Sequence, residues 1–70
     1  MKISARNVLK GKVKSLESGP ISSVVTLEIA PGVEITASIT TDSARNLSLK
    51  KGQEAFAIIK ASNVMVGVDE

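Results

Sequence analysis

The chain has 70 residues, 43% of them apolar, with nine Lys and Arg against seven Asp and Glu, and neither Cys nor His. Such a length makes one small domain with a marginal core of its own, and the missing residue types exclude disulfides and nearly every zinc site as supports. They also exclude thiolate and imidazole catalysis, and the carboxylates are scattered, so a binding protein is expected rather than an enzyme.

A net charge of +2 and a single aromatic, Phe56, fall short of the charge and stacking rings that a nucleic-acid interface needs. No apolar run approaches the ~18 residues of a membrane span, and Met1-Lys-Ile-Ser-Ala-Arg6 lacks a signal peptide's apolar stretch. The expectation is a cytoplasmic protein with no nucleic-acid or membrane partner.

In chain order, Ser4 and Arg6 share parity on an opening strand that is separate from, or continuous with, the next one. There Leu9, Gly11 and Val13 share one parity and Leu16 takes the other, which predicts a bulge between Val13 and Leu16. Lys10, Lys12 and Lys14 alternate along the same run as a solvated stripe, a spacing that also suits the steering of an anion. After the Ser18-Gly19-Pro20 turn, Ile21, Val25, Leu27 and Ile29 fall on one face and Ser22, Thr26 and Glu28 on the other, with Val24 the exception. Pro31-Gly32 marks a tight hairpin, and Val33, Ile35, Ala37 and Ile39 alternate as the inward set of its second strand.

Thr41–Leu49 departs from strand behaviour and predicts a short helix or 3₁₀ turn, capped by Thr41 or Asp42, with Ala44 and Leu47 as its apolar stripe. Ala55–Ile59 is apolar on both faces, as in a central strand or one covered by a partner subunit. Asn63–Val68, with Val64, Val66 and Val68 aligned, predicts a final strand. The sum is an all-β domain with one short helix, a small five-stranded OB-like barrel. Ser-Ala-Arg-Asn occurs at residues 4–7 and 43–46, but the flanks differ and no duplication is implied.

With cation sites and catalysis disfavoured, donors remain. A deprotonated tetrahedral oxyanion offers only acceptors, so its site is built from backbone N–H, Ser or Thr hydroxyls, Arg and Lys. Three places provide them: Ser4 with Arg6, Thr40 with Ser43 around a helix start, and Lys60 leading into Ala61-Ser62. Each also has a plain structural reading, respectively a polar strand face, a pair of capping residues and an edge-strand charge.

Met1-Lys-Ile-Ser-Ala-Arg-Asn7 with Leu9-Lys-Gly-Lys-Val13, Ala37-Ser-Ile-Thr-Thr-Asp-Ser43, Leu47-Ser-Leu49, Gly52 and Ala57-Ile-Ile-Lys-Ala61 resembles the small molybdate-binding proteins called molbindins (Mop/TOBE-type domains). The resemblance covers residues 2–68 as a single domain. It implies a homohexamer, a trimer of dimers, that binds molybdate or tungstate between subunits for molybdenum storage or homeostasis, with no catalytic cofactor. By motif, it assigns the oxyanion to Ser4, Arg6, Thr40, Ser43, Lys60 and Ala61, the last through its backbone N–H. The alternative is an anion-sensing regulatory or interaction module related to transporter-tail domains.

Overall fold

The structure is a computed structural model that describes residues 1–69. Four antiparallel strands, β1 (Asn7–Ser18), β2 (Ser22–Ala30), β3 (Val33–Thr40) and β4 (Glu54–Ile59), form one curled sheet in the order β3-β2-β1-β4. A six-residue helix, α1 (Thr41–Asn46), follows β3, and a 3₁₀ turn, Ala61–Asn63, follows β4.

Strand β1 is long enough to serve two neighbours. Its second half pairs with β2 from Lys12↔Glu28 to Ser18↔Ser23, and its first half with β4 from Asn7↔Ile59 to Lys12↔Glu54. The register slips between Val13 and Ser15, so Lys14 is the bulged residue. That bulge switches parity: Val13 before it and Leu16 after it both turn to the concave face, as the sequence pattern requires. The Gln53 carbonyl accepts from Val13 N–H (2.9 Å) and Gly52 N–H donates to Val13 O (2.8 Å), so the loop before β4 closes on β1 beside the bulge.

Pro31-Gly32 closes the β2–β3 hairpin between paired Ala30 and Val33, with Gly32 at φ +79°. Proline before a positive-φ glycine is the combination a type II turn demands. The core is small: Val13, Val25, Leu27 and Ala57 are buried, with Leu16, Ile29, Ile35, Ile39, Leu49 and Ala55 packed around them. Each fully buried branched side chain contributes about 1.5–3 kcal/mol, which leaves so small a core marginal.

Several expectations are corrected. Ile21 does not join the inward face of β2; it precedes the strand and is 78% exposed. The inward position at that end belongs to Ser23, which is fully buried. Val33 is half exposed because β3 is an edge strand. Leu47 lies past the end of α1 and is exposed, so Ala44 alone among the stripe is buried.

Residues 1–6 form no strand, because their would-be partner β4 ends at Ile59 and the chain turns into the 3₁₀ segment. The last expected strand is also absent: Val64–Asp69 belongs to no regular element, and Met65, Val66 and Val68 are all at least 85% exposed. Among the described residues the sheet therefore has four strands, a half-barrel in place of the expected five-stranded closure. Its open side, between β3 and β4, is an apolar groove of about 300 Å³ lined by residues such as Val25, Leu27, Ala37, Ile39, Phe56 and Ile58. No helix among the described residues is long and apolar enough to cross a membrane.

Candidate functional site

The six residues singled out by sequence fall into two groups, and strand pairing decides which. Asn7↔Ile59 is the last pair of the β1–β4 ladder, so Arg6 and Lys60 are the next residues outward on the two strands. The Asn7 side chain donates from Nδ2 to the Ile59 carbonyl (3.2 Å), fastening the ladder where these two cations begin. Asn7 escaped the sequence reading; a polar residue opening a strand between Arg6 and the apolar run was the available signal.

Ser4 lies in a bend two residues before Arg6, so its expected strand parity with Arg6 does not apply. Ala61 opens the 3₁₀ turn directly after Lys60, where Lys60 O accepts from Asn63 N–H (2.9 Å). The first N–H groups of such a turn have no partner within it, so Ala61 offers a backbone donor there. All four residues are solvent-exposed in the single chain.

Thr40 and Ser43 stand elsewhere. Thr40 pairs with Ser22 at the end of the sheet where β1 finishes at Ser18↔Ser23. The length of β1, 12 residues, thus separates them from Arg6 and Lys60, a path of roughly 35 Å at ~3.3 Å per residue before bulge and curl shorten it. One chain does not bring all six residues together.

The helix start is built from hydroxyls. Thr40, not Thr41 or Asp42, is the N-cap: its Oγ1 accepts from Ser43 N–H (3.0 Å) and donates to Ser43 Oγ (2.7 Å). Thr41 N–H is spent on the Ile21 carbonyl (2.8 Å). Two of the N–H groups expected to draw an anion are therefore already paired, and the hydroxyls carry the donor role. Ser43, accepting from Thr40, keeps its own O–H to give outward. The Asp42 carboxylate projects into solvent, 3.6 Å from Arg45.

Beneath this start lies a buried pair. Ser23 Oγ and Thr41 Oγ1 are 2.9 Å apart, and Thr41 Oγ1 donates to the Gly19 carbonyl (2.7 Å). Among the described residues no three His, Cys, Asp or Glu side chains gather where they could hold a metal cation. The Lys14 ammonium pKa is raised by its hydrogen bond and charge pairing with Glu34, well away from these donors.

A half-barrel whose exposed donors are Arg, Lys, hydroxyls and backbone N–H defines a class of small binding domain. The chain belongs to the TOBE domain family, whose model matches residues 3–66, and to its molbindin branch. It is 48% identical over 69 residues to a probable molybdenum-pterin-binding protein of Haemophilus influenzae, covering 99% of this chain and 100% of the relative. With molybdenum-pterin-binding protein 1 of Clostridium pasteurianum it shares 52% over 66 residues, covering 94% and 97%. The structure superposes on a molybdate-binding protein from Sporomusa ovata with a TM-score of 0.90 at 35% identity, covering 97% and 100%. It also superposes on the cytoplasmic molybdate-binding protein ModG, solved with molybdate bound, with a TM-score of 0.92 at 46% identity, covering 99% of this chain and 49% of that one.

Proposed function

We propose that this protein binds molybdate, and by the same chemistry tungstate, at sites shared between copies of the chain, and that it serves molybdenum storage or homeostasis in the cytoplasm without making or breaking a bond. The observation that carries this reading is the division of donors between the two ends of β1 in a chain nearly half identical, end to end, to molybdenum-pterin-binding proteins. One copy contributes Ser4, Arg6, Lys60 and Ala61, and another brings Thr40 and Ser43 against them. Arg6 and Lys60 balance the dianion's charge while hydroxyls and the Ala61 N–H fill its oxygens. An all-donor set disfavours phosphate, which keeps a proton near neutral pH and needs an acceptor. Selection against sulfate rests on kinship with molybdate binders, since donor chemistry treats the two alike.

The extent of exposed surface supports assembly. The chain exposes 5665 Å² at 7.3 kDa, against about 4,200 Å² for a folded monomer of that mass. Two exposed apolar features suit a second copy: the groove between β3 and β4 and the run Val64–Val68. A fifth strand supplied by that run closes the half-barrel across copies, within a homohexamer built as a trimer of dimers. Longer molybdenum transport proteins match over only a quarter of their length, which favours a second reading of the fold as a sensing module for a partner protein.

The test is calorimetric titration of Arg6→Ala with molybdate. A charge-assisted hydrogen bond is worth roughly 1.5–3 kcal/mol, so affinity is expected to fall about 10- to 100-fold. Unchanged affinity would remove Arg6 from the site.

A further inference from the structure

Helix α1 is only one and a half turns long, and its hold on the sheet is slight. Thr41 and Ala44 are its buried residues, so a methyl group and one threonine fix where its start sits. Thr41 lies between Thr40 and Ser43, whose hydroxyls face outward from the same turn.

The hydrogen-bond order around Thr41 is determined. Its hydroxyl hydrogen goes to Gly19 O (2.7 Å), so at the 2.9 Å contact with Ser23 it can only accept. The result is a directed chain, Ser23 O–H to Thr41 O–H to Gly19 C=O. Ser23 is fully buried, leaving no water to replace the partner it has. The main chain is tied in parallel, with Thr41 N–H donating to Ile21 O (2.8 Å) and Gly19 N–H to Ser22 O (3.0 Å). The β1–β2 turn is thus the base on which the helix start is mounted.

We infer that Thr41 and Ser23 are positioning residues for the anion site, holding Thr40 and Ser43 in place through the Gly19 carbonyl without touching the ligand. This rests on the oxyanion reading of Thr40 and Ser43. A site made of hydroxyls depends on their placement to about half an ångström, so a loosened base registers as lost affinity. The cost is expected to be about tenfold, the scale on which outer hydrogen-bond partners of ligating groups act.

The experiment measures molybdate affinity and melting temperature on the full-length chain, wild type and four variants, with assembly mass followed in parallel. Thr41→Val removes the hydroxyl at nearly constant shape and strands Ser23, so both affinity and melting temperature fall. Combining Ser23→Ala with Thr41→Val removes both hydroxyls; melting temperature recovers in part, but affinity stays about tenfold weak because the Gly19 anchor is gone. Thr41→Ser restores the chain and the affinity. Val13→Ala, a core change outside the network, lowers melting temperature and leaves the affinity of the folded assembly unchanged. Wild-type affinity in the double variant, or affinity that merely tracks melting temperature across the set, would overturn the inference. A wild type that binds no molybdate overturns the oxyanion reading and this inference with it, whereas a binding wild type with unaffected Thr41 variants defeats the inference alone.

Discussion

Lys14 shows what a single bulged residue does to its surroundings. The extra residue in β1 sends its side chain to Glu34 on β3, and that hydrogen bond raises the ammonium pKa above its ordinary 10.5. A raised folded-state value means the pair's stabilisation is complete below the unfolded pKa and is lost as pH climbs through the folded one. Both groups are solvent-exposed, so the effect is small. Subtracting the urea-unfolding curve of Glu34→Gln from that of wild type isolates it: the difference is constant from neutral pH to about pH 10 and shrinks beyond. A difference that grew with alkalinity would show that the two side chains do not pair. At the helix start, one hydrogen per hydroxyl dictates roles in the same way. Thr40 spends its hydrogen on Ser43, so under the proposed function an anion meets the Ser43 hydroxyl first and takes Thr40's only if that hydrogen swings outward.

Among elements, β1 and β2 leave no room for a side chain at Gly11. A Cβ there would meet the Glu28 carbonyl oxygen at 2.5 Å and its carbon at 3.1 Å, backbone atoms that move only with the whole strand. Gly11→Ala is expected to cost about 1–3 kcal/mol, read as a lower urea midpoint at unchanged slope. An unshifted midpoint would mean the strands sit farther apart than described. The hairpin at Pro31-Gly32, the β1 bulge and the helix after Thr40 were legible because each depends on neighbours within a few residues. Thr40-Thr41-Asp42 offers three capping side chains in succession, and the tertiary bonds of Thr41, its N–H to Ile21 O and its hydroxyl to Gly19 O, leave the cap to Thr40. Ser23 shares parity with Val25, Leu27 and Ile29, and that was the signal for its burial; its hydroxyl pointed the other way. That Val64–Asp69 forms no strand was not legible, since the alternation of Val64, Val66 and Val68 marks an apolar face and not whether this chain covers it. The candidate site was legible as residue types, but its division between two ends required the registers of β1.

Across the whole molecule, the proposed assembly rests on a small core, a surface large for its mass and a candidate donor set split by the length of β1. Val66→Asp places a charge on the exposed apolar run and is expected to reduce the assembly to a folded smaller species, seen by light scattering on a sizing column. Retention of the wild-type mass would take that run out of the interface. The most direct test of the central claim is calorimetric titration of the wild-type protein with sodium molybdate, with assembly mass measured on the same sample. Saturable, tight binding by an oligomer is expected, with phosphate far weaker. A well-folded oligomer that takes up no molybdate, or a monomer that binds it fully, would contradict the claim that the chain forms its oxyanion site between copies.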